Sequence, residues 1–413
     1  MKKIWSALAL LCAIAPTHQA AAEAPLRIDE RGIPLVRPES LPRRTYAFST
    51  FVVGTDDVHI VVSEGTDADR PARWLAVDNR GNFAWSADHA CPNFDDYTTL
   101  FTVDQRVVCK WRKQIVAIDT KTGKEAWRFS DPRPMYITAG AAGRVAVSID
   151  NQQLAVLDAA TGREVARYDV DGAVLEAVAA TAKGPMALLV QDTPGVVKDT
   201  IELPTGEGGA LEKVELSGDD AGRRLVAVAI GGKPQKGIAP MKPAWTTPFE
   251  GYSFDVQPTA GVVVGLPREG IRAGWDLADG KLLWERKETE GELFFFGDDG
   301  GIFAHRLPGV AAELAALADY SWGAVNARTL KPLWELPLPA GDRPMNGGQG
   351  GGDAGIVTTG GFLLARYADG QTLASARVDP GYELVGLRST KRSVLWVVQR
   401  DDERWVRLRT LGN

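Results

Sequence analysis

The sequence predicts an all-β chain: an eight-bladed β-propeller of four-stranded antiparallel blades, with seven blades as the alternative. Three observations predict it. The stretch AIDTKTGKEAW, residues 117–127, reads as strand, tight turn and strand, closing on a large aromatic. Worn copies of it recur along the chain. The turn aspartates Asp78, Asp119 and Asp158 stand 41 and 39 residues apart, the length of one four-stranded blade.

The N-terminus comes first. Lys2 and Lys3 precede an apolar run over 4–15 that is too short to span a bilayer, and small residues follow at Ala20, Ala21, Ala22 and Ala24. Residues 1–22 read as a secretory signal peptide, which places the protein in the periplasm or outside the cell. Leu11 precedes Cys12 where a lipidation site needs a small residue, so a soluble exported protein is expected rather than an anchored or integral one. Residues 23–44, rich in Pro and Arg, read as an extended arm with one strand near 33–36. The propeller occupies 45–413.

Its first group of strands is 47–53, 58–62, 74–78 and 82–86, closing on Trp85. The second is 100–103, 106–111, 115–119 and 125–129, with Gly123 in the turn and Trp127 at the close. The third is 145–149, 154–158 and 164–168; Gly162 is in its turn and Ala166 stands where a tryptophan would. A fourth group is expected at 174–179, 186–191, 200–203 and 211–216. After it, a strand at 225–230 leads into a Gly-, Pro- and Lys-rich excursion over 231–247. The fifth group, 253–256, 262–266, 273–277 and 282–286, carries Asp276, Gly280 and Trp284. The sixth, 293–296, 301–305, 323–326 and 332–336, closes on Trp334. Within it Val310, Leu314 and Leu317 have helical spacing, so a short inserted helix is expected over 310–318. The seventh group, 356–359, 363–367 and 372–378, follows the run Gly347 to Gly352, expected as a flexible connection. Asn326 and Tyr367 take the slot that aspartate holds in earlier turns. Three last strands, 383–387, 394–399 and 405–409, lack a fourth. The arm near 33–36 is expected to supply it and close the ring, which leaves few exposed edges.

The 413-residue chain has a net charge of −6, which argues against nucleic acid and against a polybasic membrane patch. Cys91 and Cys109 form a disulfide candidate in an oxidising compartment, closing a short loop worth on the order of 3 kcal/mol; two buried thiols are the alternative. His89 beside Cys91 offers two metal ligands without a second pair, so no metal site is assigned. Asp298-Asp299-Gly300-Gly301 reads as a hairpin turn rather than a calcium loop. The glycine run lacks the Lys-Ser/Thr of a phosphate loop. No catalytic residue, cofactor-binding residue or Ser/His/Asp arrangement follows from spacing.

Ala117, Asp119, Thr122, Gly123 and Trp127 match the repeat of the quinoprotein-like (PQQ-repeat) β-propellers: Ala, one free, Asp, two free, Thr-Gly, three free, Trp. Partial copies are LAVDNRGNFAW, AVLDAATGREVA, GWDLADGKLLW and VNARTLKPLW. The resemblance implies that Trp85, Trp127, Trp284 and Trp334 dock between neighbouring blades as packing. Two branches share the fold. One comprises dehydrogenases that bind pyrroloquinoline quinone (PQQ) with calcium beside a pair of adjacent cysteines; Cys91 and Cys109 are not adjacent, and no C-x-x-C-H haem motif is present. The chain is more similar in length and repeat number to the other branch, the non-catalytic BamB scaffolds of outer-membrane protein assembly. That resemblance implies a monomeric envelope scaffold that binds a protein partner. The insertions at 231–247 and 310–318 interrupt the repeat and are candidate contacts for that partner; covering the channel mouth is the alternative. A PQQ-dependent dehydrogenase, or a propeller binding a polysaccharide or small ligand, is the alternative.

Overall fold

A computed structural model describes residues 28, 31, 33–34, 50–63, 72–89, 100–111, 113–192, 199–205, 210–216, 223–232, 237–249, 254–257, 259–268, 270–288, 292–296, 301–306, 319–350, 353–400 and 403–411. The strands alternate buried and exposed positions or run fully buried through the middle of each blade, as sheets covered on both faces require. They form eight antiparallel blades. Blades 1 to 7 span 50–89, 100–130, 135–169, 174–248, 254–287, 292–337 and 344–377. Blade 8 takes three strands from 383–410 and its outermost strand, Ile33–Pro34, from the arm. The register sets Ile33 opposite Val406 and Pro34 opposite Trp405. Every innermost strand touches those of both neighbours, so the ring is closed and the seven-blade alternative is excluded. No helix of the described residues is long and apolar enough to cross a membrane.

One register feature runs through the blades. Where the outermost strand closes on tryptophan, the residue paired with it is small: Ala76 with Trp85, Ala117 with Trp127, Gly274 with Trp284, Ala324 with Trp334. Where it closes on alanine, the partner is larger: Val156 with Ala166, Leu364 with Ala374. The larger partner makes up part of the volume of the missing indole, in the direction that close packing favours.

The fold corrects four expectations. Strands Asp199–Thr205 and Ala210–Leu216 do not complete blade 4; they form a separate two-stranded sheet. The blade takes Arg223–Ala229 and Trp245–Pro248 instead, because Leu225 to Val228 is the apolar run that fits between two covered faces. The excursion 231–247 is partly ordered ladder: Ile238–Pro240 pairs parallel to Arg167–Asp169 as a fifth strand of blade 3. Gly347 to Gly350 belong to the innermost strand of blade 7, not to a flexible connection. A Cβ on Gly347 would meet the Phe295 ring at 2.5 Å, so bare backbone is what lets blades 6 and 7 approach. The aspartate slot in blade 7 is held by Arg366 rather than Tyr367, since Gly370 N–H donates to the Arg366 carbonyl as Gly123 does to that of Asp119. Residues 1–22, Cys91 and the expected helix with Val310, Leu314 and Leu317 lie outside the described residues.

Candidate functional site

The repeat residues are used up in packing. Asp119 accepts hydrogen bonds from the Thr122 N–H and hydroxyl, both at 2.9 Å, and pairs with Arg106 at 2.5 Å. Asp158 does the same with Thr161 and Arg144; the Thr161 hydroxyl bond, joined by the charge of Arg144, holds its carboxyl below the usual range. Asp78 caps its turn through Arg80 and Asn82. Asp276 pairs with Arg328 of the next blade at 2.5 Å.

Each predicted tryptophan donates its indole N–H to a carbonyl in the next blade's turn: Trp85 to Thr120 at 2.8 Å, Trp127 to Ala159, Trp284 to Ala327 and Trp334 to Tyr367 at 2.7 Å. Gly123, Gly162 and Gly280 lie flat beneath tryptophan rings at positive φ, where a Cβ would intrude to about 2.5–2.6 Å. The ring over Gly280 belongs to Trp245, which sequence reading missed. It donates to Leu277 at 3.0 Å, 32 residues on, the same interval as from Trp127 to Ala159. That interval was the available signal. Between blades 3 and 4, where Ala166 leaves no indole, Ala239 and Met241 of the excursion pack against the buried cluster that includes Ala166, Tyr168 and Val228.

The remaining candidates are also structural. Cys109 is fully buried in blade 2 and disulfide-bonded. His89 lies 2.9 Å from the Gly123 carbonyl and edge-on to Trp74. The structure does bring together Ser321, His305 and Glu335, which spacing did not show. Ser321 Oγ donates to Glu335 at 2.5 Å and lies 3.2 Å from His305 Nε2. Glu335 approaches that same nitrogen, at 3.3 Å, so no relay runs through the two sides of the imidazole. Ser321 is itself buried. Among the described residues no three His, Cys, Asp or Glu could jointly hold a metal.

What is left is one face of the ring. In an antiparallel blade, the connections from second to third strand and from the outermost strand onward emerge on the same side. The two-stranded sheet of Asp199–Thr205 and Ala210–Leu216, between the second and third strands of blade 4, belongs to that side; among the described residues the opposite side has short turns apart from the stretch between Ala229 and Trp245. On that insertion face the innermost strands begin with exposed apolar side chains: Tyr136, 51% exposed, Val174, 41%, Leu293, 41%, and Met345, 64%. They come from blades 3, 4, 6 and 7 and rim the channel mouth. Solvated side chains of this size, clustered on one face, mark contact surfaces. Lys110 already sits over the Tyr136 ring at 5.0 Å.

The family model described as outer membrane protein assembly factor BamB matches residues 111–198, from blade 2 into blade 4. No curated protein matches the chain. Among solved structures, BamB from Moraxella catarrhalis is 16% identical, covering 86% of this chain and 95% of its own, with a TM-score of 0.41. The computationally designed Ika8 protein is 14% identical over 87% and 96%, at 0.52. Quinohemoprotein alcohol dehydrogenase from Comamonas testosteroni is 14% identical over 88% and 74%, at 0.49. At 14% identity the likeness to Ika8 speaks to the fold alone. Repeat and ring make the chain an eight-bladed β-propeller, and its residues 111–198 resemble the BamB family of PQQ-like repeats.

Proposed function

We propose that the protein is a non-catalytic, monomeric scaffold of the cell envelope that holds a protein partner on its insertion face, with outer-membrane protein assembly as its setting. The observation that carries this reading is the arc of exposed Tyr136, Val174, Leu293 and Met345 at the channel mouth. The blades present these groups at fixed spacing, and the small sheet of 199–216 on the same face adds contact area. Val310, Leu314 and Leu317 stay candidate contacts on their sequence alone. The signal-like residues 1–22 support export, and the partial BamB match supports the setting.

Tyr136→Asp combined with Met345→Asp tests the surface. The expected result is loss of crosslinked envelope partners from a protein whose unfolding midpoint is unchanged. An unchanged partner set would overturn the reading. The reading assigns no cofactor. The described residues supply neither adjacent cysteines nor a carboxylate cluster fit for PQQ and calcium, so no chemical step is derived through a quinone. Adding PQQ with calcium is expected to leave the melting temperature where it was. A rise, which binding to the native state must produce, would restore the dehydrogenase alternative.

A further inference from the structure

Three cations converge on one stretch of the insertion face, Asp131 to Tyr136, which runs from blade 2 into the innermost strand of blade 3. Lys110 is on the second strand of blade 2, Arg106–Trp111, Lys113 is in the turn that follows it, and Arg133 belongs to the stretch itself. The Lys110 ammonium sits over the Tyr136 ring at 5.0 Å. Lys113 Nζ donates to the Pro132 carbonyl at 3.0 Å, and its side chain is exposed. An aromatic face and a carbonyl hold the two ammonium groups in place without cancelling their charge. Arg133 donates twice to the Asp131 carboxylate, at 2.9 and 3.0 Å, and Arg167 of blade 3 adds a third bond at 3.2 Å. Arg133 also feels the charge of Asp150. Asp131 is buried, so the acid of the stretch is spent on two guanidiniums and not on the lysines. Pro132, Pro134 and Tyr136 are exposed beside these cations, and the two fixed proline rings narrow the conformations open to the stretch. A preformed group of cations next to exposed apolar side chains draws in a carboxylate and orients what carries it.

We propose that this corner of the insertion face takes an acidic side chain of the partner polypeptide, its carboxylate set against Lys110 and Lys113 and an apolar neighbour against Tyr136. This rests on the scaffold reading and specifies the partner's chemistry. Tyr136 belongs both to the corner and to the apolar arc, so the two surfaces are continuous. The net charge of −6 disfavours an anionic membrane as the source of the negative charge.

The test is selection of a random dodecapeptide display library on the purified protein, followed by affinity measurement with a synthetic copy of the most enriched peptide. Phosphatidylglycerol vesicles are the second probe. Enrichment of Asp or Glu beside apolar residues is expected. Lys110→Gln with Lys113→Gln should weaken peptide binding about tenfold or more. Replacing the peptide's Asp or Glu by its amide should do the same without touching the protein's fold. Lys121→Gln with Lys124→Gln makes the same charge change on the exposed turn at the other end of blade 2 and should alter affinity by less than about twofold. No selected peptide, no acidic enrichment, equal losses in both pairs of variants, or binding confined to the vesicles would overturn the proposal. If Tyr136→Asp with Met345→Asp abolishes peptide binding while Lys110→Gln with Lys113→Gln does not, the scaffold reading survives and the acidic partner fails. If neither matters, both fall.

Discussion

The joint between blades 2 and 3 and the joint between blades 8 and 1 both hold neighbouring sheets together, with different chemistry. At the first, the Trp127 ring lies on Gly162 among Ile115, Met135, Ile137 and Leu157, and its one polar atom is satisfied by Ala159. The second has an apolar layer too, in which Ile28 of the arm packs with Val61, Leu75, Leu395 and Val406. To that it adds a buried polar network. His59 Nε2 lies 2.8 Å from Ser393 Oγ, and that hydroxyl donates to Asn79 Oδ1 at 2.6 Å. Thr390 donates to the same oxygen at 2.9 Å. Arg388 reaches the Thr55 carbonyl at 2.9 Å and His59 Nδ1 at 3.3 Å. Blades 2 and 3 are joined by a short stretch of chain that delivers them in register. Blades 8 and 1 meet across 334 residues, and non-directional apolar contact does not distinguish neighbouring registers. Directional, fully satisfied bonds do. The difference teaches that a repeat can reuse one apolar joint, while the closing joint has to be specific.

Trp127→Ala should show the largest effect. It removes the indole and leaves a void over Gly162, with an expected loss of about 3–5 kcal/mol in urea unfolding. A loss under about 1 kcal/mol would mean that the blade edges collapse to fill the gap.

Acid should separate the two joints. Ser393 donates to Asn79, so His59 Nε2 carries its proton toward Ser393 and Nδ1 faces Arg388. A second proton would sit against that guanidinium. Burial foremost, and then the Arg388 charge, lower the His59 pKa from 6.5 to about 3. Burial likewise lowers Arg388 to about 10, with Asp56 opposing. Between pH 6.5 and 3 the unfolded chain binds the proton and the folded chain does not. This contribution to stability is therefore full above about pH 6.5 and falls on acidification by roughly 1.4 kcal/mol per pH unit. Comparing urea midpoints at pH 7 and pH 4.5, His59→Gln should lose this part of the slope. The described residues of the Trp127 cluster include no histidine. Equal slopes in wild type and His59→Gln would remove the closing joint from acid sensitivity.

The smallest effect concerns a third joint. Leu330 takes the glycine slot in blade 6, donating its N–H to the Asn326 carbonyl at φ +56°. A non-glycine residue there is strained, so Leu330→Gly should stabilise by about 0.5–1 kcal/mol after the loss of unfolded-state entropy is counted. Leu330→Ala, which keeps the Cβ at the same φ, should bring no comparable gain.

The repeat was legible because each of its residues has a local duty: aspartate to cap, glycine to turn, tryptophan to cover the next glycine. Ring closure by the arm was legible from counting strands. Blade 4 was not, because 199–205 and 210–216 read as acceptable strands. Local propensity cannot say that Leu225 to Val228, further on, wins the buried place. The candidate surface was only partly legible. Insertions stood out as breaks in rhythm, whereas Tyr136, Val174, Leu293 and Met345 are ordinary strand residues until their exposure is seen.

The sequence by itself therefore determined the blade unit, its recurrence and the need for the two ends to meet, since these follow from spacing and turn chemistry between near neighbours. Only the tertiary structure decided which strands fill blade 4, what replaces the missing indole between blades 3 and 4, the polar network that seals the ring, and which side chains stand at the channel mouth. Each of these is a contest between distant segments for the same buried or exposed place, and burial across the ring, not local preference, settles it.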